Sequence, residues 1–210
     1  MTHPVPPAPG RRPLARSPGA ASVSLPAVLP ELDVHLLRRL APLPEAYAPT
    51  ALRLAAVVCP LLHHGGSDHV VLVQKQPHLR QHAGQVAFPG GMREGLEDPI
   101  ATARRECSEE LGLPEAALTM LGGLGARPSS SGILVHALVG RLDRPPSAFD
   151  PTEVARLHRV PLADLRDPAR WREGPAPTGR GQPGPQFELE GALLWGLTAR
   201  FLRDLLALLD

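Results

Sequence analysis

Cysteine is scarce in this sequence. Cys59 and Cys107 are the only two in 210 residues, and each lies inside an apolar pattern. A disulfide framework of the kind that staples small secreted domains is therefore excluded, and both read as reduced, buried thiols of a cytoplasmic protein. Long apolar runs are missing too. The longest, Leu54 to Cys59 continued by Leu61 and Leu62, has the length of a strand, well short of the roughly 18 residues of a membrane span. Nor is there an excess of either charge. Lys and Arg number 22 against 21 Asp and Glu, for a net charge of +1, so no electrostatic footprint argues for nucleic acid or an anionic membrane as partner. Acid is absent from residues 1–30, which carry eight prolines and three arginines. That composition builds no core, so a disordered tail is expected, with one domain over residues 31–210. The prolines also oppose the amphipathic helix of a transit peptide, and no apolar stretch follows a basic start as in a secretory signal.

What the chain does contain is concentrated between Gly84 and Leu113. Val86 to Phe88 reads as a strand and Pro89-Gly90-Gly91 as a turn, followed by a loop and a helix marked at both ends. Asp98 is a good N-cap, Pro99 suits the first helical position, Gly112 suits a left-handed stop and Pro114 prevents continuation. Within that helix Glu106, Glu109 and Glu110 share one face, while Ile100, Ala103, Cys107 and Leu111 gather on a neighbouring one. Crowded carboxylates repel by roughly 0.2 to 0.5 kcal/mol per pair on an open helix surface. A hard divalent cation reverses that sign, and Mg²⁺ or Mn²⁺ accepts such oxygens together with phosphate and water. Three glutamates alone read more readily as a solvated acidic face, since charge clusters are usually solvated.

The spacing around them is more specific. Gly91, Glu97, Arg105-Glu106, Cys107, Glu109-Glu110, Gly112 and Leu113 stand at the fixed positions of a motif that resembles the Nudix box. The departure is Cys107, where an aliphatic residue is more usual; it is small and apolar enough to pack there. The resemblance implies the Nudix fold, an α/β/α sandwich with a mixed β-sheet, and metal-assisted hydrolysis of a diphosphate. It also implies Glu106 and Glu110 as direct metal ligands, Glu109 as a further ligand or one acting through water, and a structural pair between Glu97 and Arg105. An acid on a loop near such a site often serves as extra ligand or base, which makes Glu153 a candidate beside its plain reading as a surface or capping glutamate.

Upstream, Leu79-Arg80-Gln81-His82-Ala83-Gly84-Gln85-Val86-Ala87-Phe88-Pro89-Gly90-Gly91 is similar to the extension that marks the coenzyme A pyrophosphatase branch of the family. Trp195-Gly196-Leu197-Thr198-Ala199-Arg200-Phe201-Leu202 is similar to that branch as well. A Thr-x-Arg-Ser usually stands earlier; here Val73-Gln74-Lys75-Gln76 keeps a cation and loses arginine's bidentate fork. For a phosphate-rich ligand the segment makes physical sense. Lys75, Arg80, a protonatable His82 and Gln85 would face the diphosphate, and Gly84, Gly90 and Gly91 would let backbone amides approach. The expected substrate is coenzyme A or a thioester, a small molecule, with ADP-ribose or a nucleoside triphosphate as the alternative, and a non-catalytic nucleotide-binding domain as a third reading.

Elsewhere the periodicities predict a short helix from Glu31, a hairpin of Arg53 to Leu62 with His69 to Lys75, and strands over Leu118–Leu124 and Gly132–Leu142 joined by a Gly125–Ser131 loop. A mobile loop over Glu173–Gln186, a hairpin around Glu190-Gly191 and a terminal helix over Leu197–Leu209 complete the expectation.

Overall fold

The structure, a computed structural model, describes residues 30–179 and 181–210. Apart from Pro30, the expected tail lies outside the described residues. Helix α1 (Glu31–Leu37) leads to the strands β1 (Arg53–His64) and β2 (Ser67–Lys75), then β3 (Val86–Ala87), β4 (Gly90–Met92) and helix α2 (Pro99–Leu111). After these come β5 (Leu118–Pro128), β6 (Ile133–Leu142), β7 (Val154–Pro161), α3 (Leu162–Arg166), β8 (Trp171–Gly174), β9 (Gly184–Leu189), β10 (Ala192–Leu194) and α4 (Gly196–Ala207).

Gly65 and Gly66 both adopt positive φ, 60° and 79°, between His64 and Ser67, the last pair of the β1–β2 hairpin. A two-residue turn with that handedness matches the twist of its strands. β1 and β2 share only four pairs, Leu61↔Val70 to His64↔Ser67, and then diverge. The opening between them is filled by the segment that carries the glycines: Val86 and Ala87 pair with Gln74 and Val73, and Gly90 to Met92 pair with Val57 to Ala55. β7 runs along the other edge of β2, and β6 lies parallel to β1 over ten pairs, with β5 antiparallel outside it. The result is a mixed seven-stranded sheet.

Alternation along the strands divides the core into two layers. Ala56, Val58, Leu62, Val71 and Val73 pack with Ala103, Cys107 and Leu111 of α2. Cys59, Leu61, Val70 and Leu72 pack on the other side with Leu36, Leu165 and the α4 residues Phe201, Leu202 and Leu205. This is an α/β/α sandwich. The thiols of Cys59 and Cys107 are free, buried and in different layers, and burial pushes the Cys107 pKa up to about 12.

Three expectations need correction. Of Pro89-Gly90-Gly91, read above as a turn, the two glycines open strand β4 and pair with Val57 and Ala56. β5 continues through Gly125 to Pro128, because register shifts between Met120 and Gly122 and between Gly123 and Gly125 absorb the glycines as irregularities in a continuing strand. The proposed loop over Glu173–Gln186 is strand at both ends. Arg172, Glu173 and Gly174 pair with Gln186, Pro185 and Gly184, and β8, β9 and β10 make a separate three-stranded sheet. Pro185 is tolerated because it enters β9 ahead of the β10 pairing, which begins opposite Phe187. Immediately after Glu153 the chain forms β7, a full strand not expected from the sequence.

Candidate active site

Helix α2 is set by its own ends. Asp98 accepts a hydrogen bond from the Ala101 amide at 2.8 Å, Pro99 opens the first turn, and Gly112 closes the helix at φ 60°. The helix lies so close to β4 that a Cβ on Gly91 would come 2.3 Å from Oε1 of Glu106. A side chain there would displace the Glu106 carboxylate from its present position. Gly90, at φ 153°, is required more strictly by β1, since a Cβ would meet the backbone carbonyl oxygen of Ala56 at 2.4 Å. The two glycines thus have packing reasons for lacking side chains, apart from any contact with substrate.

Charged groups at the site fall into two sets, each around one cation. Arg105 donates through Nε to Glu97 Oε1 (2.8 Å), through Nη1 to Glu106 Oε1 (2.9 Å) and Glu109 Oε2 (3.2 Å), and through Nη2 to the Met92 carbonyl (3.0 Å). Glu97 is held further by the Thr102 hydroxyl at 2.9 Å and the Glu94 amide at 3.0 Å. Tyr47, the sole tyrosine of the chain, donates in turn to Thr102 Oγ1 at 2.9 Å. With Arg105 as the main cause, the Glu97 carboxyl is pulled down to a pKa of about 2.

Lys75 forms the second set. Its Nζ donates to Glu110 Oε1 and, at 3.3 Å, to Glu153 Oε2. Glu110 is 2% exposed and Lys75 13%, whereas Glu153 stands 52% exposed on its loop. That loop is stitched to the end of β2 by Gln76, whose amide donates to the Glu153 carbonyl (2.8 Å) and whose side chain donates to the Pro151 carbonyl (2.9 Å). Burial pushes the Glu110 carboxyl up to about 7 against the opposing pull of Lys75, and burial likewise raises Glu106. Glu110 Oε2 is buried without a hydrogen-bond partner.

The Leu79–Gln85 segment closes back on this second set. The Lys75 amide donates to the Gln85 carbonyl at 2.9 Å, and the Gln85 amide to the His82 carbonyl at 2.9 Å. His82 takes φ 57° and its Nδ1 lies 2.9 Å from Gln85 Oε1, so these two side chains engage each other. Arg80 is exposed and has no partner among the described residues.

Whether these residues fit a divalent cation is answered by charge and by the orphaned oxygen. Arg105 and Lys75, two cations, contact six carboxylates, those of Glu94, Glu97, Glu106, Glu109, Glu110 and Glu153. An ionised carboxylate as buried as Glu110 is costly unless its oxygens are satisfied, and one is not. An oxygen-seeking cation suits both features. Among the described residues no three potential ligand side chains already converge on one point, because Arg105 and Lys75 stand among the acids. Sequence reasoning missed Tyr47, Thr102, Glu94 and the tethering by Gln76. Thr102 carries a weak signal, lying one turn into the helix after Glu97. Tyr47 carries none, being 55 residues from the group it braces.

Comparison with known proteins gives the following. A NUDIX domain profile matches residues 52–180. The chain is 36% identical over 159 residues to the uncharacterized Nudix hydrolase NudL of Photorhabdus laumondii, covering 73% of this chain and 83% of that protein. It is 35% identical over 159 residues to a protein of the same name from Escherichia coli, covering 73% and 81%. Among solved structures, a binary complex of the Caenorhabditis elegans Ap4A hydrolase is similar over 75% of this chain and 98% of that one, with 19% identity and a TM-score of 0.49.

Proposed function

The chain belongs to the Nudix hydrolase family, pyrophosphohydrolases of nucleoside diphosphate derivatives that work with divalent cations, and on that premise we propose that it cleaves the diphosphate of coenzyme A or its thioesters with Mg²⁺ or Mn²⁺. The products are 3′,5′-ADP and a 4′-phosphopantetheine. One observation carries the choice of substrate: a loop closed onto Lys75, beside Glu110 and Glu153, presents Arg80 exposed and unpartnered among the described residues. Coenzyme A differs from ADP-ribose in its 3′-phosphate and pantetheine arm, and so calls for a cationic contact beyond the diphosphate. A guanidinium can hold two phosphate oxygens at once.

In this reading Glu106, Glu109 and Glu110 would hold the cation, which would neutralise the diphosphate and lower the pKa of an attacking water. Arg105 fixes Glu106 and Glu109 from one side, and through Glu97 it ties the loop before α2 to the helix. Glu153, on a loop opposite the helix, more than half exposed and bonded there to Lys75 at 3.3 Å, is the carboxylate we assign to take a proton from the attacking water. His82 and Gln85, bonded to each other, set the shape of the loop that carries Arg80.

The test is a substrate panel of coenzyme A, acetyl-CoA, dephospho-CoA, ADP-ribose and dGTP, each with Mg²⁺ and with Mn²⁺. Coenzyme A or acetyl-CoA should show the highest kcat/KM. Arg80→Ala should raise KM for coenzyme A by about 10- to 150-fold, the equivalent of a charge-assisted contact of roughly 1.5 to 3 kcal/mol, and should change dephospho-CoA less. Equal weakening of both reassigns Arg80 to the diphosphate. Preference for ADP-ribose or dGTP overturns the coenzyme A reading and leaves the family chemistry in place.

A further inference from the structure

Lys75 is the single lysine of the chain, all other basic side chains of fixed charge being arginine. It sits where an incoming cation is wanted. Its Nζ contacts an oxygen of Glu110 from the helix and one of Glu153 from the facing loop, while the remaining Glu110 oxygen has no partner. Its backbone is held on both sides, since its amide is bonded to the Gln85 carbonyl at 2.9 Å and Lys75 pairs with Val154 at the end of the β2–β7 ladder.

We propose that Lys75 is a tethered counter-cation that neutralises Glu110 and Glu153 until a divalent cation takes the Glu110 oxygen, and then swings to the phosphoryl oxygens of the substrate, releasing Glu153. The proposal rests on the cation-dependent hydrolase reading above. A primary ammonium and a divalent cation repel each other strongly across a few ångströms in a partly buried site, so both do not share the same carboxylate oxygens. Displacement of the ammonium is therefore the step that admits the metal. Lysine suits this exchange because its charge is compact and its four-carbon stem flexible, whereas a planar guanidinium keeps a fixed fork. The displaced ammonium stays within its own reach of Glu110, which is where the diphosphate must lie if that glutamate helps hold the cation. The same side chain thereby keeps the empty site near neutrality and adds a positive charge to the filled one.

A single lysine makes the motion directly observable. In protein labelled with ¹⁵N-lysine, one side-chain ammonium resonance reports on Lys75. Sheltered and hydrogen-bonded, it is expected to be visible in the metal-free protein. Saturating Mg²⁺, with occupancy followed by calorimetry, should shift it and speed its proton exchange. Methylenediphosphonate added next should restore a protected signal at a third position. Lys75→Met, which removes the competitor, should bind Mg²⁺ at least about tenfold more tightly at low ionic strength, and Lys75→Arg no more tightly than wild type. An ammonium signal that stays put while calorimetry shows Mg²⁺ bound, a Lys75→Met protein with unchanged or weaker Mg²⁺ affinity, or no response to the diphosphonate each overturns the exchange and leaves the hydrolase reading standing. Failure of all three proteins to bind Mg²⁺ overturns both.

Discussion

Glu110 joins two properties that rarely coexist, near-complete burial and an oxygen without a partner. Replacing it or Glu106 by glutamine keeps the shape and removes a ligand charge. Each of the variants Glu106→Gln and Glu110→Gln is expected to lose at least about 10- to 100-fold in kcat while its circular dichroism stays native, the range seen even for groups that only support a metal ligand. Near-native turnover in a folded Glu106→Gln protein would remove that residue from the mechanism. Glu97 behaves differently, because its partner is permanent. Its pKa of about 2 lies below the ordinary 4.5, so the stability it adds is full above pH 4.5 and is lost as the pH falls through about 2. Melting temperatures of wild type and Glu97→Gln should therefore differ at pH 7 and converge toward pH 2; a constant gap would assign the effect to packing. At this scale the sequence displayed the spacing of the helix acids and the pattern of the box. It did not display that Lys75 turns toward Glu110, since residues 35 apart meet only through the sheet.

Helix α2 was readable from its ends because capping is local: Asp98, Pro99 and Gly112 act within a few residues of themselves. Asp98→Ala should cost about 0.5 to 2 kcal/mol of stability by urea denaturation. Because that cap fixes the start of the helix whose second half carries the acids, kcat should fall in the same variant, and a destabilised protein with full activity would separate cap from site. Strand limits were less legible where glycine and proline occur. A glycine in β5 can end a strand or mark a bulge, and only the neighbouring β6 decides between them. Likewise Pro185 looks like a loop residue until β8 is seen to pair with it. β7 has few apolar residues in strict alternation, and its pairing with β2 over seven residue pairs is a tertiary fact with little local trace.

Across the whole molecule, the two core layers follow from the alternation of β1 and β2, which the hairpin reading already contained. The division of the sheet by the segment from Val86 to Met92 was not foreseeable, because β3 and β4 hold two and three residues, too short for any periodicity. That segment has a role in solubility as well as in chemistry. It occupies the backbone edges of β1 at Ala55–Val57 and of β2 at Val73–Gln74, which would otherwise face outward as unpaired, apolar strand and template aggregation. Gly90→Ala places a Cβ against β1 at a positive φ and is expected to cost more than about 1 kcal/mol. Its first symptom should be a smaller soluble fraction and faster light scattering on heating, ahead of any measurable change in turnover by the molecules that remain folded. Losses of function mapped to Pro89–Gly91 would then be, in part, losses of protein to self-association, and a survey that scores only activity would count a guardian of the sheet as a catalytic motif.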